Sequence, residues 1–335
     1  MSRTRRAGAA TVVAATVAAA AGGAYVLARH ARRWQADACD LEAAGLTLPD
    51  DLAHHHLPTS DGGSLHVVER GAGRPLVLVH GVMLGVEIWA PQLRRLSGHH
   101  RVLAVGQRGH GSSVAGRDGY SMERLADDLL EVLAGLEVFD AVLVGHSMGG
   151  MVTLVAAVDR APELRRHVGS LVLVGTSAGP LVPGPAAALV GAGFAGAAGR
   201  GLARSERRGL PILPGQDLGT WMARASFGSH PGAAEVALTR AVLDRMSPSA
   251  MAALLGPLLT YDVHRRIHDV DLPTRVVVGS RDVLTPPQMA RAITREIPGS
   301  ELEVLPGCGH MVMLERPGEL CDLLEGVAAA SPGVG

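Results

Sequence analysis

The sequence predicts an α/β protein: a mostly parallel sheet with helices on both faces. Two patterns carry this expectation. Short apolar runs recur along the chain at Leu76–Val79, Val102–Val105, Ala141–Val144, Leu171–Val174, Arg275–Val278 and Leu302–Leu305. Continuous apolar runs, as opposed to alternating ones, mark strands buried on both faces. Between most of them lie segments able to form helices, and alternating strands and helices build a parallel sheet. At 335 residues, 47% hydrophobic and 19% charged, the chain can bury one large domain, with or without an insertion.

Taken in order, His54–Leu57 and Ser64–Arg70 flank Asp61-Gly62-Gly63, a hairpin signal. The strand Leu76–Val79 ends at His80-Gly81 and leads into a helix over Val86–Leu96. The strand Val102–Val105 precedes a helix over Met122–Leu136, and Ala141–Val144 precedes a helix over Gly150–Val158. Residues 180–256 are rich in Ala, Gly and Pro and hold no clear strand, so they are expected to form a helical insertion over the sheet edge where the loops converge. The alternation resumes with Arg275–Val278, a helix near Pro286–Ile297, Leu302–Leu305 and a last helix near Pro317–Val327. The expected division is a core of 54–179 and 257–330, a helical cap of 180–256, a polar linker of 29–53 and a distinct N-terminal segment of 1–28.

That first segment holds an uncharged run from Ala7 to Leu27 between Arg3, Arg5 and Arg6 on one side and Arg29, Arg32 and Arg33 on the other. A bilayer span takes about 20 residues, so a signal anchor and membrane association through residues 7–28 are the first reading. Ala-x-Ala sites around Ala18–Ala21 also fit a cleaved secretory peptide. A soluble alanine-rich helix is the third reading. Arginines on both sides leave the orientation undecided.

Composition removes several functions. All 31 basic residues are arginine, which excludes Schiff-base chemistry, pyridoxal-phosphate anchoring and a P-loop, each of which needs a lysine. A net charge of -1 supplies no field for nucleic acid, and 3% aromatic residues supply no base-stacking platform. Cys39, Cys308 and Cys321 lack metal-binding spacing. His54, His55 and His56 would alternate across a strand and cannot converge on one ion. His264 and His268 stand four apart, but Arg265 occupies the place where H-E-x-x-H needs its glutamate. No metal and no cofactor are expected.

Gly145-His146-Ser147-Met148-Gly149 matches G-x-S-x-G. With 43 glycines the bare pattern arises about 0.3 times by chance, and Gly175-Thr-Ser177-Ala-Gly179 matches it too. Context separates the two. Ser147 follows an apolar strand and precedes a segment able to continue as a helix, the setting of a strained nucleophile elbow. Pro180, Pro183 and Pro185 forbid a helix directly behind Ser177. Gly145 and Gly149 allow strand and helix to approach, and the Met148 N–H lies where it can hold an oxyanion at a helix start.

A serine nucleophile needs a base, and the base needs an orienting acid. A serine elbow takes these partners in the chain order acid, then histidine. Asp282 follows the strand at Val276–Gly279 and is the candidate acid, since 175–185 contains no Asp or Glu. His310 follows the last strand in a loop loosened by Gly307 and Gly309 and is the candidate base. The Val82 N–H, after Val79-His80-Gly81, is the candidate second oxyanion donor, with His80 and Gly81 shaping the turn. Trp89 reads equally as a core residue and as a pocket wall.

With these motifs the chain resembles the α/β-hydrolase superfamily, in its lipase, esterase and perhydrolase-like branch. The resemblance rests on Leu76–Met83, Arg108-Gly-His-Gly-Ser-Ser113, Gly145–Gly150, Val276–Pro287 and Gly309-His310-Met-Val-Met-Leu-Glu-Arg-Pro317, and covers about 54–330. It implies an eight-stranded sheet and a serine hydrolase acting on small-molecule esters. Relatives carry an acid two residues before the arginine of the R-G-H-G-x-S segment, where this chain has Gly106; the usual partner of Arg108 is therefore missing. A serine nucleophile argues against the branches that use aspartate. The aliphatic cap favours an apolar acyl chain. Transfer of the acyl group to peroxide and carbon–carbon bond hydrolysis fit the same residues, and a non-catalytic binding protein is the remaining alternative.

Overall fold

The computed structural model describes residues 38–181 and 216–330, with a few single positions outside them such as Trp34. Residues 1–33, and with them the N-terminal apolar run, lie outside the described residues. Among the described residues no helix is long and apolar enough to cross a membrane.

Eight strands form one sheet: β1 (Ala53–Pro58), β2 (Ser64–Arg70), β3 (Arg74–Val79), β4 (His100–Val105), β5 (Ala141–His146), β6 (Val168–Val174), β7 (Thr274–Gly279) and β8 (Glu301–Leu305). Their spatial order is β1-β2-β4-β3-β5-β6-β7-β8. Pairing is antiparallel within the β1–β2 hairpin and between β2 and β4, and parallel from β4 to β8. The expected α/β sheet with helices on both faces is the one observed.

The apolar runs are continuous because each strand feeds two cores. Val77, Val79, Leu103, Leu143, Leu171 and Val276 face one of them. There they meet α3 (Met122–Gly135), α4 (Met148–Asp159) and α9 (Pro287–Glu296). The intervening Leu76, Leu78, Val102, Val142, Val144, Val172 and Val277 face the other. They meet α2 (Ala90–Leu96), α10 (Val312–Glu315) and α11 (Pro317–Ala330). Ser121 starts α3 by accepting the Arg124 N–H through its side chain (3.0 Å), satisfying one of the helix's free donors.

Two local expectations change, and the expected alternation of the histidines is seen. The helix over Val86–Leu96 is divided: Val86–Trp89 is a 3₁₀ turn, and α2 begins at Ala90 with a proline in its first turn. Part of the stretch read as a linker packs on the core: α1 (Ala38–Ala43) leads to Leu46, which is buried, and Leu41, Leu48 and Leu52 lie against the same cluster. His54 and His56 do share a face, together with His66 of β2, whose ring stacks on both at 5.2 and 5.0 Å; His55 points the other way, to Glu69. Among the described residues, no group of three His, Cys, Asp or Glu side chains is arranged to hold a metal.

Arg108 does have partners despite Gly106. Its side chain is fully buried and pairs with Asp61, in the β1–β2 turn (3.1 Å), and with Asp128 of α3 (2.7 Å). It also donates to the Gly119 carbonyl (2.6 Å). Burial alone would raise the Asp61 carboxyl, but hydrogen bonds from Thr59, Arg108 and the Asp118 N–H outweigh it and hold the group far below the usual carboxylate range. The two acids that pair with Arg108 stand 47 residues before it and 20 residues after it.

The region read as a cap contains α6 (Gln216–Ala225), α7 (Ala233–Leu243) and α8 (Pro248–Thr260). Residues 182–200 and most of 201–215 lie outside the described residues.

Candidate active site

The loops at the carboxyl ends of β3 to β8 build the site, as in other open α/β sheets. β5 ends at His146, and α4 begins at Met148. Ser147 between them has φ +52° and ψ −118°, a conformation costing a non-glycine residue about 1–3 kcal/mol. Its backbone is tied on both sides. The Ser147 N–H donates to the Val174 carbonyl (3.0 Å), and its carbonyl accepts the Met151 N–H (3.1 Å) and the Thr176 hydroxyl (2.7 Å). The elbow is closed around glycines. A Cβ at Gly145 would stand 2.6 Å from the Gly150 Cα, and one at Gly149 would stand 2.4 Å from the Val79 carbonyl oxygen. Gly81 packs on Ser147 itself, where a Cβ would lie 2.9 Å from the serine's own. Ser177 has none of this: it sits in the loop after β6, and its hydroxyl turns back onto the Gly179 carbonyl (2.8 Å).

Asp282 lies just beyond β7, buried. One oxygen accepts the N–H groups of Leu284 and Thr285 (2.9 Å each); the other accepts the Thr285 hydroxyl (2.8 Å) and His310 Nδ1 (2.8 Å). Burial by itself would raise this carboxyl, but His310 and the Thr285 hydrogen bonds outweigh it and hold it below its ordinary value. An ionised acceptor at Nδ1 puts the proton there and leaves His310 Nε2 with a free lone pair. Thr285 was not among the residues picked from the sequence, although Asp-x-x-Thr is a local turn signal.

His310 is fixed through its backbone too. Its N–H donates to the Ser226 carbonyl (2.7 Å), and its carbonyl accepts from His146 Nε2 (3.0 Å). The His146 and His310 rings lie 4.6 Å apart, so His310 stands against the residue that precedes Ser147. Trp89 is fully buried and meets His146 edge-on at 6.5 Å; it is a core residue under the site.

The turn after β3 carries Val82. His80 is buried and bonds the Gly81 carbonyl through Nδ1 (2.7 Å), while its Nε2 accepts the Gln107 N–H (3.1 Å). His110, from the R-G-H-G-x-S segment, accepts the Met83 N–H at Nε2 (3.0 Å), and its Nδ1 faces the Arg108 carbonyl (3.1 Å). Two neutral imidazoles thus brace the turn on either side of Val82. Among the described residues neither the Val82 N–H nor the Met148 N–H has an acceptor, and Met148 heads a helix whose first N–H groups have none within it. His110 was quoted in the sequence only as part of a motif, because its contact with Met83 spans 27 residues.

Burial, aided by the neighbouring His110, pushes His80 down to about 3, and burial pushes His110 down to about 4. Both values lie below the unfolded value of about 6.5, so the unfolded chain binds their protons first. Their contribution is complete above about pH 6.5 and declines as pH falls, each by up to about 1.4 kcal/mol per pH unit. Urea unfolding should therefore show a loss on the order of 2 kcal/mol per histidine between pH 7 and pH 5. A His110→Gln variant should flatten that slope; an unchanged slope would show that His110 is not held neutral in the fold.

Comparison with known proteins agrees with this fold. A family model described as alpha/beta hydrolase family matches residues 76–323. The chain belongs to the alpha/beta hydrolase family. It is 32% identical over 262 residues to the pimeloyl-[acyl-carrier protein] methyl ester esterase of Aromatoleum aromaticum, covering 75% of this chain and 97% of that one. A shorter match, 38% over 112 residues, links it to the non-heme chloroperoxidase CPO-A1 of Kitasatospora aureofaciens, over 33% of this chain and 37% of that one. Another, 34% over 110 residues, reaches the (E)-2-((N-methylformamido)methylene)succinate hydrolase of Acinetobacter baylyi, over 33% and 42%. The chain thus spans less than half the length of the last two. Among solved structures, a thermophilic esterase from Thermogutta terrifontis superposes with a TM-score of 0.69 at 26% identity, covering 83% of this chain and 98% of that one. This hydrolase-family chain therefore has esterases among its relatives.

Proposed function

We propose that the protein is a serine hydrolase of carboxylic esters with apolar acyl groups, working through an acyl-enzyme. One observation carries the reading: a buried Asp282–His310 pair, with Nε2 left free, standing against the strained elbow that presents Ser147. Ser147 attacks the carbonyl carbon while His310 Nε2 takes its proton. The N–H groups of Val82 and Met148 hold the oxyanion, and His310 then gives the proton to the leaving alcohol. Asp282 keeps the imidazole tautomer and stabilises the imidazolium. Water, activated by the same histidine, releases the acid. Val283 and Leu284, next to Asp282, are 68% and 52% exposed. With the aliphatic α7 and α8 they favour an apolar substrate.

Labelling with a fluorophosphonate probe, followed by a chain-length series of nitrophenyl esters, tests this reading. A labelled protein whose kcat/KM rises with acyl length supports it; an unlabelled protein overturns it. The chloroperoxidase match favours one second reading, acyl transfer to hydrogen peroxide in place of water. Peroxide-dependent halogenation exceeding ester hydrolysis would select it.

The uncharged run of residues 7–27 supports membrane association of the full-length chain. The full-length protein is expected to sediment with membranes, and a chain starting at Ala31 to be soluble and active. The cut belongs ahead of Trp34, whose ring lies under the Arg224 guanidinium at 5.3 Å, because a start beyond Leu46 would remove a buried core residue. Uncleaved full-length protein in the soluble fraction would exclude the anchor.

A further inference from the structure

The loop that carries His310 is stitched to the segment following α6, and one carboxylate closes the seam. Gly307–His310 and Ser226–Ser229 run backbone to backbone. The Ser229 N–H donates to the Gly307 carbonyl (3.0 Å), and the His310 N–H donates to the Ser226 carbonyl (2.7 Å). No side chain fits between the two. A Cβ at Gly228 would lie 2.0 Å from the Gly307 carbonyl oxygen, and one at Gly309 would lie 2.3 Å from the Gly228 nitrogen. Two N–H groups on the seam, those of Gly228 and Gly309, point to one side chain. Glu315 accepts both, one on each carboxylate oxygen, at 2.8 Å each.

Glu315 stands at the end of α10, five residues beyond His310. The mechanism above assigns it no role. Its two bonds are charge-assisted, the stronger class of hydrogen bond. One ends on the residue that precedes the base; the other ends on the segment leading out of α6. We propose that Glu315 is a positioning residue for His310, holding the base in register with Asp282 by locking its loop to the α6 segment. The proposal rests on His310 being the base. A carboxylate is required because both target groups are donors. A glutamine at this place could accept from only one of them, and its NH₂ would face the other. The loop would then be held on one side, and the Nδ1–H bond to Asp282 (2.8 Å) would lengthen part of the time. Misplacement of a catalytic group by about 1 Å costs on the order of 10²-fold in rate.

The test compares Glu315→Gln with the parent protein on a nitrophenyl ester, rates being taken per site titrated with a fluorophosphonate. The expected result is a 10- to 100-fold lower kcat per titrated site, with KM within about 3-fold. Glu315→Asp, which keeps the charge on a shorter arm, should recover part of the loss. Glu319→Gln, at an exposed ion pair with Arg316, should change neither kcat nor KM. An unchanged kcat per titrated site in Glu315→Gln would overturn the proposal, even if the variant melts earlier or yields fewer active sites. His310→Ala separates the two levels. If it is inactive while Glu315→Gln is unchanged, only the role of Glu315 falls. If it keeps parental activity, the base assignment falls and takes this proposal with it.

Discussion

Replacing Ser147 with alanine is expected to abolish ester hydrolysis and fluorophosphonate labelling, whereas Ser177→Ala keeps most of the parent's activity. Loss of the nucleophile from a serine triad costs about 10⁶-fold in kcat. The fold should survive, because alanine and serine carry the same Cβ. The strain at φ +52° is then unchanged, and the backbone bonds to Val174, Met151 and Thr176 do not involve the hydroxyl. Ser177 lies in an equally good pattern match, but its hydroxyl is spent on Gly179 and residues 178–181 directly behind it form no helix. Loss of activity in Ser177→Ala with retention in Ser147→Ala would overturn the elbow assignment.

Asp282→Asn should lower kcat by about 10⁴-fold with little change in structure. The amide oxygen can still accept the Leu284 and Thr285 N–H groups that shape the turn. Its NH₂ would then face His310 Nδ1. That nitrogen would have to accept, placing the ring proton on Nε2, where the base must be bare. Circular dichroism should match the parent while kcat falls. A variant within a few-fold of the parent would mean that another carboxylate serves His310.

Sequence and structure part company at identifiable places. The Arg108 site shows why. Gly106 removes the acid that relatives carry two residues away, and the sequence offers no replacement nearby. The replacements are Asp61, 47 residues back in the hairpin turn, and Asp128, 20 residues ahead on α3. Nothing in local spacing points to either, because the pairing depends on how the hairpin docks against the helix. The same holds for His110 on Met83 and for the segment at Leu46. The divided helix at Val86–Leu96 differs in kind: Pro91 is a helix-start signal visible in the sequence.

What the sequence determined by itself was everything carried by near neighbours. Continuous apolar runs specify strands buried on both faces, since period and burial are local properties. The glycines around Ser147 specify an elbow, since the close approach occurs within five residues. Ser147, Asp282 and His310 stand out as candidates because each lies just beyond the end of a strand. Only the tertiary structure decided which groups hold these loops in place: Asp61 and Asp128 on Arg108, His146 on the His310 carbonyl, Glu315 across the seam to α6. Hydrogen bonds and ion pairs act over about 3 Å, and the residues they join here stand up to 164 positions apart. Such a distance in sequence becomes a contact only when the sheet brings the ends of β5, β7 and β8 to one edge.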